Sequence, residues 1–382
     1  MKVAGRFPKD LRAAGFAASL RRLATTWARK AALTLGVVIT APCAAEASTL
    51  GGPLLLQDEG IFYANVRLQP LARDQTGGAE PDSVNETMVA SRAYVHFRIP
   101  LSVTGLPVVM IGGSGDTGAS YETTPDGREG WATYFTRQGF PTYVVDGPGR
   151  GRAGFNSSVF VEAKAANDPT LIPDLGSSSI ERHWPGLRLG PRYPAVWANS
   201  QFPTDAMEQF AAQFVPNAES TYGQPEVARR LTIDALIAVL EKTGPAILIV
   251  HSQSGLYGLT VAAERPDLVK ALIATEGSCA PTTALEIATY PKEAAEVELR
   301  SVPFLAIFGD HAEAFPDGWN GVSRREACRE TVARVQAAGG PATFWHLPAL
   351  GIQGNSHAMA LERNNLTIAD MIIGWIHGSL RG

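Results

Sequence analysis

One stretch decides the fold: "AILIVHSQSGLYGLTVAAERPDLVKALIATEG", residues 246–277. It opens with a run of β-forming residues that ends abruptly in small polar residues. An apolar helical pattern and a second β-run follow. A strand, a tight turn, a helix and a further strand form the repeating unit of a parallel sheet. The turn carries Ser252 and Ser254 just past the first strand, where a strained bend presents a nucleophile in some enzymes. The stretch therefore raises the question of which serine, if either, reacts.

The same alternation of strands and helices runs through most of the chain. Continuous apolar runs, typical of strands buried on both faces, predict core strands at 106–113, 140–147, 246–252, 270–277, 302–310 and 342–349. Runs at 60–68 and 89–100 alternate more and predict antiparallel strands ahead of them. Helical patterns lie at 129–139, 225–244 and 364–380. The sequence therefore predicts a mostly parallel, doubly wound α/β sheet.

Residues 153–222 interrupt this rhythm, because they are rich in Pro, Trp, Asn and Ser and contain no strong strand pattern. Ligand crevices lie at the carboxyl ends of parallel strands, which is where this segment leaves and rejoins the sheet. We therefore predict a cap, or lid, over a site, with residues 48–152 and 223–382 as the core. The alternative is a small second domain with no part in binding.

The N-terminal region has the pattern of an export signal. "RRLATTWARK" is positively charged, and "AALTLGVVITAPCAAEA" (31–47) is apolar and ends in small residues. The apolar run is shorter than the roughly 20 residues that span a bilayer. We predict that residues 1–47 are a signal peptide, removed before Ser48, and that the mature chain is periplasmic or secreted without a membrane span. It would keep Cys279 and Cys328, and an oxidising compartment favours one disulfide between them.

Composition and motifs exclude several classes of function. Lys and Arg (33) do not exceed Asp and Glu (37), which disfavours a nucleic-acid surface. No P-loop lysine follows the Gly112-Gly113 turn, and its glycine spacing does not make a dinucleotide fingerprint. Two thiols and no histidine pair at ligand spacing argue against a metal site. We therefore predict neither cofactor nor metal.

A reactive serine needs a histidine base and a carboxylate that orients it, in the chain order Ser, acid, His for this topology. Ser252 is favoured over Ser254, because the strand ends just before it and Gly255 opens the helix. The histidines that follow are His311, His346, His357 and His377. We favour His357, in a glycine-rich loop between the last strand and the last helix, with His311 as its competitor.

The position of residues in the sequence identifies the acid and the substrate-binding groups less clearly than it identifies the serine and the histidine. Glu276 and Asp310 both end apolar strands, so position alone leaves the acid open between them. Backbone N–H groups of Ser114 and Gln253 are predicted to form an oxyanion hole. Four aromatic residues are predicted to line a substrate pocket, with core packing as the alternative: Tyr121, Trp131, Trp184 and Trp197.

Several blocks resemble the α/β-hydrolase family, and within it the exported bacterial esterase 713 and its relatives. The matching blocks, from about residue 51 to the C-terminus, include "ETTPDGREGWATYFTRQGFPTYVVDGPGRGRAG" (122–154), "HSQSG" (251–255), "ATEG" (274–277), "FGDHAEAFP" (308–316) and "PALGIQGNSHAMALERNNLTIADMIIGWI" (348–376). The resemblance implies an α/β-hydrolase fold and a triad of Ser252, Glu276 and His357, with Asp310 structural. One departure is Gly112-Gly113-Ser114-Gly115, where that family has His-Gly-Cys-Cys.

The function that the resemblance implies is an exported serine carboxylesterase, which hydrolyses a small-molecule ester through an acyl-enzyme. A homodimer is implied in the same way. The alternatives are a lactonase, amidase or acyltransferase with the same triad, or a non-catalytic binding protein on a hydrolase scaffold.

Overall fold

The computed structural model describes residues 51–70, 87–177, 179–281, 299–314 and 321–381. The predicted signal peptide, residues 1–47, lies outside the described residues.

The described residues build one sheet of eight strands in the order β1-β2-β4-β3-β5-β6-β7-β8. The strands are β1 (Leu56–Pro70), β2 (Thr87–Pro100), β3 (Val108–Ile111), β4 (Thr142–Asp146), β5 (Ala246–His251), β6 (Val269–Thr275), β7 (Phe304–Phe308) and β8 (Ala342–His346). β2 pairs antiparallel with β1 and with β4, and the pairs from β4 through β8 are parallel. The predicted mostly parallel sheet and its two antiparallel leading strands are confirmed.

Helices cover both faces of the sheet. In chain order they are α1 (Ala119–Glu122), α2 (Trp131–Arg137), α3 (Ser158–Ala165), α4 (Ile180–Gly186), α5 (Met207–Gln213), α6 (Pro225–Thr243), α7 (Ser254–Glu264), α8 (Gly321–Ala337) and α9 (Asn365–Ser379). Apolar residues of α6, α7 and α8 form one core cluster with the sheet, and those of α2 and α9 form another. This double cover explains why β3, β5 and β7 read as unbroken apolar runs.

The segment 153–222 contributes α3, α4 and α5 and a small hydrophobic cluster of its own. Trp184, Leu189 and Phe202 are buried there, and the cluster also contains Ala358 and Leu361 from beyond β8. The predicted cap segment therefore packs on the loop that carries His357. Its role as a cap and its boundaries remain predictions.

Cys279, which follows β6, forms a disulfide with Cys328 of α8, the pairing that an oxidising compartment favours. The two Cα atoms are 4.8 Å apart and the cysteines are separated by 49 residues of sequence. Both side chains are buried, so the bond ties α8 to the end of the sheet near Glu276.

Replacing both cysteines by alanine should lower the free energy of unfolding by about 4 kcal/mol, because a cross-link over a loop of this length restricts the unfolded chain. Urea unfolding of the double variant and of the wild type, each with and without reductant, measures the effect. Reductant should destabilise only the wild type. Equal stability of the reduced and oxidised wild type would contradict the prediction.

Candidate active site

Ser252 lies on a strained turn between β5 and α7. Its φ is +53°, a left-handed conformation that a residue with a side chain rarely adopts. The turn is tight because α7 approaches the sheet closely: a Cβ on Gly255 would lie 2.5 Å from the Ser278 carbonyl oxygen. The strand, the bend and the helix thus have the geometry of a nucleophile elbow.

The two candidate serines occupy different surroundings. The Ser254 hydroxyl is fully buried and donates to the Gly112 carbonyl at 2.5 Å, so its hydrogen bond serves the loop after β3. The Ser252 Oγ lies 2.9 Å from the Nε2 atom of His357. The structure therefore brings Ser252, rather than Ser254, to an imidazole.

His357 also contacts Glu276 through its other ring nitrogen. Nδ1 lies 3.3 Å from the Glu276 Oε2, and both side chains are buried. If Nδ1 carries the proton and donates it to Glu276, Nε2 is free to accept from the Ser252 hydroxyl. Glu276, His357 and Ser252 therefore form one continuous chain of contacts, the arrangement that activates a serine.

Glu276 is held as a carboxylate in a fully buried position. Burial raises the pKa of its carboxyl, but the Arg188 guanidinium and His357 outweigh that effect and hold the pKa well below its usual value. Arg188 Nη2 lies 2.5 Å from Oε1, and the Gly309 N–H donates to the same oxygen at 2.6 Å. A negative charge therefore lies beside the His357 ring.

His357 is held through its backbone as well as through its ring. Its N–H donates to the Leu187 carbonyl at 3.0 Å, and its carbonyl lies 2.9 Å from the His251 Nε2. Burial lowers the pKa of His357 below its usual value and outweighs the Glu276 carboxylate, which raises it. The imidazole is therefore neutral near pH 7 and able to take a proton.

Asp310 and His311, the competing candidates for the acid and the base, contact residues other than Ser252 and His357. Asp310 Oδ2 accepts from the Gly354 N–H at 3.1 Å and from Asn199 Nδ2 at 3.2 Å. His311 stacks on Trp197 with ring centres 4.6 Å apart, and its Nε2 lies 2.9 Å from Asn199 Oδ1. Both therefore serve the contact between the segment 153–222 and the loop that leads to His357.

The predicted oxyanion loop touches the nucleophile. A Cβ on Gly113 would lie 2.6 Å from the Ser252 Cβ, so only glycine lets this backbone approach so closely. The buried Arg150 donates to the Gly113 carbonyl at 2.7 Å and to Gln253 Oε1 at 2.6 Å. In a trans peptide the next N–H points opposite to the carbonyl, so this bond fixes the direction of the Ser114 N–H. Ser114 and Gln253 as oxyanion donors remain predictions.

A cavity that is partly open to solvent lies beside His357. Its lining is mostly apolar and comes from three parts of the chain. Tyr121 belongs to α1, Phe210 and Phe214 to the segment 153–222, and Met359 to the segment after His357. Asp116 and His251 add polar groups. The cavity suits an apolar group attached to a reacting centre at Ser252.

Comparison with known proteins identifies the family. No family model matches the chain. In a solved structure described as a novel bacterial esterase, the matched chain is 35% identical; the alignment covers 86% of this chain and 98% of that one, with a TM-score of 0.75. A curated protein of a fungus (Fungal sp., strain ATCC 74256), the probable secreted lipase phiG, is 30% identical over 321 residues, 74% of this chain and 85% of its own length.

The chain belongs to the α/β-hydrolase esterase family. It is a carboxylic ester hydrolase, and its eight-stranded sheet is the α/β-hydrolase fold. No group of three or more histidine, cysteine, aspartate or glutamate side chains that could hold a metal ion occurs among the described residues of this esterase.

Of the four aromatic residues predicted to bind substrate, only Tyr121 lines the cavity of this esterase. Trp131 is fully buried against α9 and donates to the Asn365 carbonyl at 2.9 Å. Trp184 and Trp197 donate to backbone carbonyls within the segment 153–222. At these three positions each indole N–H is satisfied inside the fold, and a contact with substrate stays a prediction.

Four charged residues at the site were not found from the sequence: Arg150, Arg188, Arg324 and Glu362. Arg188 contacts Glu276, and Arg324 contacts Ser252. In each pair the two residues lie far apart in the chain. Glu362 is fully buried and accepts from the Ser356 N–H and Asn355 Nδ2, both at 2.7 Å, so it supports the loop of His357. Burial raises its pKa to about 7. None of the four lies in a pattern that indicates such a role.

Proposed function

We propose that this esterase is an exported serine carboxylesterase with Ser252 as nucleophile, His357 as general base and Glu276 as the orienting acid. The observation that carries the proposal is the continuous contact from Glu276 through His357 to the Ser252 hydroxyl. A binding protein on the same scaffold has no use for a buried carboxylate and imidazole aimed at one strained serine.

The reaction would proceed in two halves. His357 Nε2 takes the Ser252 proton while Oγ attacks the ester carbonyl, and the carbonyl oxygen becomes an oxyanion between the Ser114 and Gln253 N–H groups. His357 then gives the proton to the departing alcohol, which leaves an acyl-enzyme. Water attacks that ester with His357 again as base, and the released Ser252 recovers its proton.

The substrate is proposed to be a small-molecule ester with one apolar portion. The cavity beside His357 offers Tyr121, Phe210 and Met359 to that portion. The secreted fungal lipase points to the same class of ester.

Export is supported by three features: the charged and apolar segment 1–47, the buried disulfide, and the secreted relative. Over the residues that the structure describes, no helix has the length and apolar character needed to cross a membrane.

Mass spectrometry of the protein recovered from outside the cytoplasm should show a new N-terminus at Ser48.

Wild-type enzyme incubated with a fluorophosphonate probe and with p-nitrophenyl esters of short to medium chain length tests the activity. We expect turnover of the esters and covalent labelling on the peptide that contains Ser252. Labelling with turnover of lactones or amides in preference to esters would favour one of the alternative hydrolases. A folded protein that is neither labelled nor active would favour the alternative of a non-catalytic binding protein.

A further inference from the structure

Arg324 of α8 reaches the nucleophile itself. Its Nη1 donates to the Ser252 Oγ at 3.2 Å, and its side chain is almost entirely buried. The same oxygen lies 2.9 Å from His357 Nε2. The hydroxyl can make both contacts at once, because its O–H donates to the imidazole while a lone pair accepts from the guanidinium. Oγ therefore lies between a neutral base and a permanent cation.

The other arginines around the site have a different arrangement. Arg188 pairs with Glu276, and Arg150 pairs with Glu219 and supports the Gly113 loop. Arg325, the neighbour of Arg324 in α8, is buried too, but it pairs with the exposed carboxylates of Glu313 and Glu326. Among these arginines, Arg324 is the one whose recorded contact is with a reacting atom.

We propose that Arg324 is a further catalytic residue, which stabilises the negative charge that Ser252 Oγ carries when it attacks and when it leaves. The proposal rests on the proposed function of Ser252 as nucleophile. This role is separate from those already proposed. His357 and Glu276 handle the proton of Ser252, and the oxyanion hole stabilises the carbonyl oxygen, so neither stabilises charge on Oγ.

The charge on Oγ arises at two points of the cycle. In acylation the hydroxyl proton moves to His357 Nε2, and the Oγ electron pair forms the bond to the carbonyl carbon. In deacylation that carbon–oxygen bond breaks, the pair returns to Oγ, and the proton comes back from His357. A guanidinium hydrogen bonded to Oγ lowers the free energy of both transition states, because Ser252, His357 and Arg324 are buried and their charges are weakly screened.

The burial of His357 makes a cation at Oγ more important for the rate. Burial keeps the imidazole neutral and makes it a weaker base than a free histidine. Proton transfer from a serine hydroxyl to a weak base is uphill, so stabilising the oxygen that loses the proton has a large effect on rate. Arg324 supplies that stabilisation at every pH at which the enzyme is folded, since arginine does not lose its charge.

The test compares Arg324→Met and Arg324→Lys with the matched control Arg325→Met. Arg325 is the same residue type on the same helix and nearly as buried, but its recorded ion pairs are with Glu313 and Glu326 rather than with Ser252. We expect Arg324→Met to lower kcat and the rate of fluorophosphonate labelling by about 100- to 1,000-fold with little change in KM. Arg324→Lys should recover part of the loss, and Arg325→Met should stay within about tenfold of the wild type.

A pH profile and melting curves complete the test. Arg324 Nη1 and His357 Nε2 both contact the Ser252 Oγ, at 3.2 and 2.9 Å, and a cation this close lowers the pKa of a neighbouring imidazole. The acid limb of kcat/KM should therefore move to higher pH in Arg324→Met and stay in place in Arg325→Met.

Full activity of Arg324→Met would overturn the proposal. So would equal losses of activity and melting temperature in the two methionine variants, since these would show a structural role. A wild type that is not labelled at Ser252 would instead remove the proposed function, on which this inference rests.

Discussion

Replacing Ser252 by alanine is expected to lower kcat for p-nitrophenyl esters by about a million-fold and to abolish fluorophosphonate labelling. The loss is large because the Ser252 hydroxyl supplies the oxygen of the acyl-enzyme bond and the proton that His357 takes in acylation. The cavity beside His357 does not include Ser252 in its lining, so binding of an ester or of a product acid should change little. Steady-state kinetics with titration of a non-hydrolysable ester analogue measures both effects.

Ser254→Ala is the matched control, because it removes the same hydroxyl two residues away. Its loss leaves the buried Gly112 carbonyl without the Ser254 hydrogen bond, which costs about 1–3 kcal/mol of stability. Activity should fall by no more than about tenfold, since the Ser254 hydroxyl bonds to the Gly112 carbonyl and not to His357. Activity that disappears in Ser254→Ala and survives in Ser252→Ala would reverse the assignment of the nucleophile.

The second large effect is expected at the acid. Glu276→Gln should lower kcat by about 10⁴-fold, because an amide can donate to His357 Nδ1 and then holds the imidazole in the tautomer with Nε2 protonated. In that tautomer Nε2 no longer accepts the Ser252 proton. The lowered pKa of Glu276 keeps its carboxyl ionised throughout the neutral range. The pH profile of kcat of the wild type should therefore show no titration of Glu276 in that range.

Asp310→Asn is the control for this prediction, because Asp310 is the other carboxylate at a strand end. It accepts from Gly354 and Asn199 rather than from His357, so its loss should reduce kcat by less than about tenfold. Glu276→Gln also removes the charge that pairs with the buried Arg188, a change that costs about 3–5 kcal/mol of stability. Kinetics should therefore be measured well below the melting temperature of each variant, with circular dichroism as a check. A larger kinetic loss in Asp310→Asn would make Asp310 the acid.

Much of the architecture was readable from the sequence. Strands such as β5 and β7 are covered by helices on both faces, so they appear as unbroken apolar runs that need no tertiary information. The turn at Ser252 could be located in the same way, because a strand must stop and a helix must start within two residues. Two cysteines in a predicted exported chain indicated the disulfide that the structure contains.

The choice of the acid could not be made from residue positions alone. Glu276 and Asp310 end neighbouring parallel strands, β6 and β7, and each meets the physical requirement of a partly desolvated carboxylate. Only the path of the loop from Gly351 to His357 decides which of them the imidazole reaches. The resemblance to a family favoured Glu276, and the hydrogen bonds of the folded chain agree with that choice.

The sequence by itself thus determined the core strands, the helices that follow the patterns at 129–139, 225–244 and 364–380, the serine turn and the histidine loop. Each of these depends on a pattern of residues near one another in the chain. Only the tertiary structure brought Arg188 to Glu276 and Arg324 to Ser252, and only it placed Trp131 in the core. These contacts join residues dozens of positions apart. Their energy depends on the depth of burial and the direction of each side chain, which no local pattern encodes.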